Sequence, residues 1–308
     1  MITALGGGVG AAKFLEGLYG VIGGEPLSVV VNTGDDIVLH GLRISPDVDT
    51  IIYRLSGLID AGKGWGVRDD TFACLAALSR FGLETWFNIG DIDFATHIYR
   101  TLLRNEGLTP SQVTERLARA FGIGESIKVL PMTDEDIETW ILTDEGEMHF
   151  QEYFVKRKMK PEVLKVVFRN IDGAKPAPGV AEAIRDARMV ILCPSNPIIS
   201  IGPILNVKGI GEALRAFRGK IIAISPLIGG VPLKGPADKL MRGLGLEVSS
   251  AGVARLYRDF LDVMVIDSED AGEAERIAGM GIKAVVLDTV MSDARKASAL
   301  ASAVLSEM

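Results

Sequence analysis

The sequence has few of the features that mark secreted, membrane-bound or disulfide-stabilised proteins. Its only two cysteines, Cys74 and Cys193, lie in apolar surroundings and form neither a metal pair nor a CxxC motif. They are predicted to be buried free thiols. No apolar run approaches the roughly 20 residues that a transmembrane helix needs. Met1 leads into apolar and glycine residues without the charged region of a signal peptide, so we expect a soluble, cytoplasmic protein.

Long runs of one charge sign are lacking as well. The chain has 33 lysine and arginine residues against 40 aspartate and glutamate residues, which gives a net charge of −7. A nucleic-acid groove needs a basic stripe, and this dispersed, acidic balance argues against one. A nucleotide ligand is compatible with the composition, because a phosphate site needs only local amides and one or two cations.

Short segments rich in valine and isoleucine alternate with amphipathic helical patterns. The candidate strands are Ile2–Leu5, Leu27–Asn32, Met189–Cys193, Lys220–Ile224, Asp262–Ile266 and Lys283–Leu287. They are apolar on both faces, as expected of a parallel sheet that helices cover on both sides. The helical patterns are Val9–Tyr19, Asp47–Ile59, Gly179–Ala187, Gly209–Phe217, Glu269–Gly279 and Asp293–Glu307. This alternation predicts an α/β fold with a doubly wound, mostly parallel, Rossmann-like sheet.

The interval from about 90 to 173 breaks the alternation. It contains helical patterns at Phe94–Asn105 and Ser111–Phe121 and extended segments at Glu138–Thr143 and Met148–Tyr153. The tetrapeptide Asp144-Glu145-Gly146-Glu147 between the extended segments predicts a hairpin turn. We therefore predict a single Rossmann-like domain, 1–308, that carries an inserted α+β subdomain of helices and a hairpin at about 90–173.

A glycine-rich loop joins the first predicted strand to the first predicted helix. Gly6, Gly8 and Ala11 satisfy the G-x-G-x-x-A pattern, with Gly7 between the two glycines and Lys13 early in the helix. Glycine lets backbone amides approach phosphate oxygens at a helix N-terminus, where the helix dipole favours negative charge. The loop is therefore predicted to bind a nucleotide or another phosphate, with Lys13 as a nearby cation.

The second predicted strand lacks one feature of dinucleotide-binding enzymes. Those enzymes carry an acid at the end of this strand, where it binds the ribose. Here the strand ends in Asn32-Thr33-Gly34, and Asp35 and Asp36 lie farther along the loop. This weakens the hypothesis of an NAD(P)-dependent oxidoreductase without excluding it.

Acidic residues cluster after this strand, namely Asp35, Asp36, Asp47 and Asp49. Carboxylates beside a phosphate loop would repel the ligand unless a divalent cation intervened, and Mg²⁺ prefers one or two carboxylates plus phosphate oxygens. Asp35, Asp36 and Asp47 are therefore predicted metal ligands. A plain turn at Asp35-Asp36 and a helix cap at Asp47 are the alternatives. Residues i and i+2 face different sides of a helix, so either Asp47 or Asp49 is expected in the turn before it.

Further short motifs follow in a fixed order along the chain. They are Asn32–Asp36, His40–Leu42, Ser45–Thr50, Gly64–Gly66, Trp86–Asp93, Ala95–His97, Arg100-Thr101, Pro194–Pro197, Ser200–Leu205, Ser225–Gly230 and Lys234–Ala237. This series resembles the 2-phospho-L-lactate transferase family (CofD/FbiA) of coenzyme F-420 biosynthesis. The resemblance covers Met1 to about Ala237 by motif and the remainder by length.

The resemblance implies a defined group transfer. The donor would be lactyl-2-diphospho-5′-guanosine, and the acceptor would be the ribityl hydroxyl of 7,8-didemethyl-8-hydroxy-5-deazariboflavin. The products would be coenzyme F-420-0 and GMP, with Mg²⁺ required, and the protein would be a homodimer. The hydroxyl would attack the lactyl-bearing phosphorus, a displacement that depends on positioning and charge neutralisation. A lactyl, enolpyruvyl or other three-carbon donor stays open, because a few contacts would separate them.

The resemblance also implies residue roles. The acceptor is expected at Asp49 and Asn88, and the donor at Gly6, Gly7, Gly8, Lys13, Asn32, Ser195 and Asn196. Asp49 and Asp47 are the expected catalytic carboxylates, and Asp49 would orient or deprotonate the hydroxyl or hold Mg²⁺. His97 is expected to be structural. Trp65 and Trp86 would either stack on a planar ring or belong to the core.

A second alternative to the transferase comes from the same superfamily. One branch resembles non-enzymatic, nucleotide-sugar-sensing regulators and has a similar GGG loop. That branch carries a D-D-G-G-S-S-G pattern after its second strand, whereas this chain has Asp35–Gly41 with the sequence DDIVLHG. The transferase is the favoured hypothesis, and the regulator and the oxidoreductase are retained as alternatives.

Overall fold

A central sheet of seven parallel strands organises the computed structural model, which describes residues 1–307. The strands are β1 (Ile2–Gly6), β2 (Leu27–Val31), β3 (Ile37–Leu39), β4 (Leu42–Ile44), β5 (Ile127–Pro131), β6 (Glu138–Thr143), β7 (Gly146–His149), β8 (Val163–Arg169), β9 (Met189–Leu192), β10 (Lys220–Ile224), β11 (Leu227–Ile228), β12 (Val231–Pro232), β13 (Val263–Asp267) and β14 (Lys283–Leu287). The helices are α1 (Gly8–Val21), α2 (Pro46–Leu55), α3 (Ala73–Arg80), α4 (Asp91–Asn105), α5 (Pro110–Ala120), α6 (Val180–Arg185), α7 (Ile201–Asn206), α8 (Ile210–Ala216), α9 (Ala237–Gly243), α10 (Ser250–Tyr257), α11 (Ala274–Ala278) and α12 (Ala294–Ser306).

The order of the central strands creates a switch point. Across the sheet they run β14-β13-β10-β9-β1-β2-β5, and every neighbouring pair is parallel. The chain builds outward in one direction from β1 through β2 to β5 and in the other from β9 to β14. The switch point therefore falls between β1 and β9, and doubly wound sheets bind ligands outside the carboxyl ends of the strands at such a point. The structure confirms the predicted α/β, doubly wound class.

Burial on both sheet faces explains the continuous apolar character of the strands. In β1, Leu5 packs into one buried cluster, whereas Ile2 and Ala4 pack into another on the opposite face. Strands covered on both sides need apolar residues at every position rather than at alternate ones. The predicted strands at β10 and β14 agree with the structure at both ends.

The interval from 90 to 173 is more closely tied to the central sheet than the sequence suggested. After α4 and α5 it supplies β5, which pairs with β2 at the edge of that sheet. The separate part is the three-stranded antiparallel sheet β7-β6-β8. β5 escaped the sequence analysis because its burial alternates, with Lys128 exposed. The boundaries of an inserted subdomain at about 90–173 stay a prediction.

The predicted hairpin is present, but its second strand is shorter. Thr143 pairs with Gly146, so the turn consists of Asp144-Glu145 alone. The predicted extended segment Met148–Tyr153 is wrong beyond His149, because a π-helical turn follows at Glu152–Lys156. Tyr153 is completely buried there, and this packing overrides the strand propensity of the segment.

The two cysteines differ in their environment. Cys193 is buried as predicted, but Cys74 is exposed on α3. The buried position of α3 is Leu75, so the apolar neighbours of Cys74 lie on a surface helix and do not carry it into the core. Within residues 1–307, every helix falls short of the length and apolar character that a membrane span requires.

The contact between α1 and α12 predicts that alanine substitution at two glycines of α1 will affect stability very differently. A β-carbon at Gly17 would collide with the backbone of Ala297 and lie 2.7 Å from the nitrogen of Ser298. We expect Gly17→Ala to lower the free energy of unfolding by about 1–3 kcal/mol, because backbone atoms cannot yield. Gly20→Ala, whose β-carbon would meet Ser298 Oγ at 3.7 Å, should be neutral or stabilising by about 0.4–1 kcal/mol. Urea unfolding of both variants tests this, and equal effects would contradict it.

Candidate functional site at the switch point

The glycine loop lies against the end of β9. The Gly7 backbone N–H donates to the Ser195 hydroxyl at 3.2 Å, and that hydroxyl donates to the Gly7 carbonyl at 3.0 Å. Gly8 has a φ of +73°, which glycine adopts without strain. A β-carbon on Gly10 would collide with the carbonyl of Pro194. The first turn of α1 is therefore held too closely against the β9 end to accept a side chain at Gly10.

The Asp47 carboxylate lies at the N-terminus of α1. Asn32 Nδ2 donates to Asp47 Oδ2 at 2.9 Å, and a β-carbon on Gly7 would overlap the same oxygen. The nearby Gly8 backbone N–H acts to lower the pKa of this carboxylate. Helix N-termini stabilise anions, so Asp47 is placed where such a terminus would hold a phosphate.

Asp35 and Asp36 add further negative charge beside Asp47. Asp35 and Asp47 are buried and Asp36 is half-buried. Burial raises the pKa of Asp35 well above its usual range, and the nearby charges of Asp47 and Asp36 raise it further. Burial also raises the pKa of Asp36, although the Ser45 hydroxyl donates to its Oδ2 at 2.6 Å. The pKa of Asp47 is raised by burial to about 6.

Two carboxylates of this group keep unpartnered oxygens. In the described part of the chain, neither Asp35 Oδ1 nor Asp36 Oδ1 has a hydrogen-bond partner, although both atoms are buried. Unpartnered buried oxygens are costly, and burial raises the pKa of both carboxyl groups even though the charge of Arg100 partly offsets the rise at Asp36. Mg²⁺ selects oxygen ligands of this kind. Asp35, Asp36 and Asp47 stay predicted ligands of the ion, although among residues 1–307 only the group described below brings three ligand atoms within 4.8 Å of one another.

Asp49 faces another side of α2. Both Asp47 and Asp49 are helical, because α2 begins at Pro46, a residue that favours the first helical position. The expectation that one of them lies in the preceding turn was wrong. Asp49 forms an ion pair with Arg100 of α4, and His97 Nδ1 lies 3.7 Å from Asp49 Oδ2.

The network around Asp49 continues along α4. His97 Nε2 lies 3.4 Å from Asp93 Oδ1, which accepts a hydrogen bond from the Tyr53 hydroxyl at 2.7 Å. Ligand atoms of Asp49, Asp93 and His97 lie within 4.8 Å of one another, so this group is a second candidate cation site. Asp49 already has a positively charged partner in Arg100. We therefore expect the cation at Asp35, Asp36 and Asp47 instead.

Several predicted donor-binding side chains are engaged within the protein. Lys13 lies in the second turn of α1, and its Nζ donates to the Met291 carbonyl at 3.0 Å. Asn196 Oδ1 accepts from the Ile198 backbone at 3.0 Å, which stabilises the turn after β9. The Ser195 hydroxyl is used by Gly7, as described above. The structure thus brings Asn32 and the glycine loop to Asp47, whereas these three side chains have protein partners.

The residues expected near a planar acceptor lie at the surface. Asn88 is exposed in the loop before α4. Trp65 is 37% exposed, and the Lys63 ammonium lies 5.7 Å from the centroid of its ring. Trp86 is half-buried and packs edge-to-face against Phe87, with ring centroids 5.7 Å apart. Neither tryptophan belongs to the buried core.

Sequence reasoning missed Arg100, Asp93 and Tyr53 as neighbours of Asp49. A signal for the first two was available, because Asp93, His97 and Arg100 are spaced four and three positions apart and so share one face of a helix. That polar face is buried, whereas the opposite face carries exposed apolar residues such as Ile92 and Leu102. Polar residues on the face of a helix that packs against the interior indicate a buried network of hydrogen bonds and ion pairs.

The fold and the site define a Rossmann-like α/β protein with a glycine-lined, carboxylate-rich centre at its switch point. The family model described as 2-phospho-L-lactate transferase CofD matches residues 2–305. The 2-phospho-L-lactate transferase of Methanosarcina acetivorans is 43% identical over 98% of this chain and 97% of its own. The phosphoenolpyruvate transferase of Streptomyces griseus is 41% identical over 97% of this chain and 96% of its own.

A solved structure shares the fold at low sequence identity. The UPF0052-family protein of Bacillus halodurans gives a TM-score of 0.66 at 16% identity, over 99% of this chain and 98% of its own. That likeness concerns the fold alone. Given the family match across nearly the whole chain, the protein belongs to the 2-phospho-L-lactate transferase (CofD) family and is a transferase, which confirms the family predicted from the motifs.

The raised pKa of Asp47 predicts a pH dependence of stability in the metal-free protein. An acid whose folded-state pKa exceeds its unfolded value stabilises the fold below the unfolded pKa and loses that contribution as pH rises through the folded pKa. For Asp47 the window runs from 3.8 to about 6. We expect the free energy of unfolding of the wild type, relative to Asp47→Asn, to fall by on the order of 2–3 kcal/mol across that window. Urea unfolding with EDTA at several pH values measures it, and parallel curves for the two proteins would contradict the assignment.

Proposed function

We propose that this transferase moves a 2-phospholactyl group from lactyl-2-diphospho-5′-guanosine to the ribityl hydroxyl of 7,8-didemethyl-8-hydroxy-5-deazariboflavin, with release of GMP and with a requirement for Mg²⁺. Family membership supports 2-phospho-L-lactate as the transferred group. The observation that carries the proposal is the contact between the glycine loop and the carboxylate of Asp47.

The donor diphosphate is proposed to bind at the N-terminus of α1. There it would meet the Asp47 carboxylate, and two anions at one helix terminus repel each other. Bound Mg²⁺ would supply the positive charge that holds phosphate oxygens beside Asp35, Asp36 and Asp47 and stabilises charge during displacement. The backbone amides at the start of α1 would orient the diphosphate.

The acceptor hydroxyl is proposed to approach Asp49. Asp49 Oδ2 has no hydrogen-bond partner within residues 1–307, so it is free to accept one from the hydroxyl. As the new oxygen–phosphorus bond forms, the hydroxyl proton passes to Asp49. The bridging bond of the diphosphate breaks, and GMP leaves with the electron pair. Because Asp49 is buried, the acceptor must displace the atoms that cover it.

Arg100 and His97 are proposed as positioning residues for this carboxylate. Burial raises the pKa of Asp49, and the charge of the Arg100 guanidinium partly offsets that rise. An ionised carboxylate is the form that accepts a proton. The ion pair with Arg100 also fixes the Asp49 side chain, so that its free oxygen keeps one direction.

A second candidate donor carries enolpyruvyl in place of lactyl. Relatives described as phosphoenolpyruvate transferases, such as that of Streptomyces griseus at 41% identity, are nearly as similar to this chain as the 2-phospho-L-lactate transferase of Methanosarcina acetivorans at 43%. The two donors share their diphosphate and guanosine and differ only in the three-carbon acid.

Incubation of the protein with the deazaflavin alcohol, Mg²⁺ and each donor separately tests the proposal. Mass spectrometry should detect the phospholactyl product and GMP, and EDTA should abolish both because the carboxylates then lack their counter-charge. Product from the enolpyruvyl donor alone would favour the second candidate. No product from either donor, with GDP still bound, would contradict the proposed transfer.

The role of Asp49 predicts a selective loss of turnover. Asp49→Asn keeps the shape of the side chain but removes the proton acceptor, so we expect a loss of about 10²-fold or more. GDP affinity should survive, because the glycine loop is untouched. Asp186→Asn, which removes an exposed carboxylate paired with Arg185, serves as the control. Near-normal turnover and normal deazaflavin affinity in Asp49→Asn would show that Asp49 is only a helix residue.

A further inference from the structure

Two loops meet beside the first turn of α1. Lys234, in the loop that follows β12, donates from Nζ to the Lys63 carbonyl at 2.9 Å. A β-carbon at Gly64 would lie 3.0 Å from Val9 Cγ1 and 3.2 Å from Lys234 Nζ. Gly64 therefore touches both the start of α1 and the Lys234 ammonium, which places this ammonium next to the glycine loop.

The positive charge of Lys234 affects the pKa of Lys13 on α1. The pKa of Lys13 is lowered by burial, by the charge of Arg54 and by the charge of Lys234. Arg54 is paired with Glu16, whose Oε2 lies 3.3 Å from Arg54 Nη1. In the described chain, by contrast, Lys13 and Lys234 bond through Nζ only to backbone carbonyls. Neither ammonium group is bonded to a carboxylate, although the charge of Glu16 partly offsets the lowering of the Lys13 pKa.

We propose that Lys234 binds the diphosphate of a nucleoside diphosphate at this site, together with Lys13 and the N-terminus of α1. The class of ligand rests on the proposed function. Lysine ammonium groups bind phosphates as point charges, and a polyanion between Lys13 and Lys234 would relieve their mutual repulsion. The ligand would then lie between these cations on one side and the carboxylates beside Asp47 on the other.

The loop that carries Lys234 is free to adjust to such a ligand. Its neighbours Val231 and Leu233 are 61% and 65% exposed, so little apolar packing holds the segment in place. Lys234 gives up a single hydrogen bond to the neutral Lys63 carbonyl when it turns to a phosphate. A bond to phosphate joins two charged groups and is therefore the stronger of the two.

Calorimetric titration of GDP, GMP and inorganic diphosphate into Lys234→Met tests the proposal. Lys239→Met is the matched control, because Lys239 Nζ also donates to a distant backbone carbonyl, that of Met159 at 2.7 Å, but belongs to α9. We expect Lys234→Met to weaken GDP and diphosphate binding about 10-fold or more, with a smaller effect on GMP and a shallower salt dependence. Lys239→Met should bind all three ligands like the wild type, and both variants should keep the wild-type thermal midpoint.

Three outcomes would overturn the assignment. Unchanged GDP affinity in Lys234→Met would show that its ammonium does not contact the diphosphate. An equal loss for GMP and GDP would indicate a loop that only shapes the site, and an equal loss in Lys239→Met would indicate a general effect of charge. These titrations need no acceptor, so a wild type that binds GDP but forms no transfer product would contradict the proposed function and leave the Lys234 assignment intact.

Discussion

The crowding of Asp35, Asp36 and Asp47 against the N-terminus of α1 is the constraint on which the site depends. Asp47 is compensated by Asn32, by the Gly8 backbone and by the helix dipole. Asp35 and Asp36 keep unpartnered buried oxygens, and uncompensated buried charge is costly. The site therefore favours a bound cation, and a cation held there would in turn attract the phosphates that the carboxylates alone repel. Cation and phosphate binding are expected to reinforce each other for this reason.

Helix α2 divides the two halves of the proposed reaction. Because Asp47 and Asp49 are two positions apart in a helix, their carboxylates point to different sides. Asp47 reaches the glycine loop, and Asp49 reaches Arg100 of α4. One short helix can thus serve the donor side and the acceptor side at once. The Arg100 contact ties this arrangement to α4, whose other face is exposed.

The sequence predicted those features that depend only on residues close together in the chain. Strands buried on both faces, such as β10, produce apolar runs that need no knowledge of the fold, and the glycine loop is a contiguous motif. β5 was missed because an edge strand alternates in burial. The contacts of Arg100 with Asp49 and of Lys234 with Lys63 were missed because each joins residues far apart in the chain. The orientation of Lys13 depends on the Met291 carbonyl near the other end of the chain, which no local pattern could indicate.

The position of the metal tests the central claim most directly. A crystal of the protein grown with GDP and Mn²⁺, measured for anomalous scattering at the manganese edge, would locate the ion without assumptions about mechanism. We predict a peak among the carboxylate oxygens of Asp35, Asp36 and Asp47, in contact with a phosphate oxygen of GDP. A peak among Asp49, Asp93 and His97, or ordered GDP at the glycine loop with no ion beside it, would contradict the account.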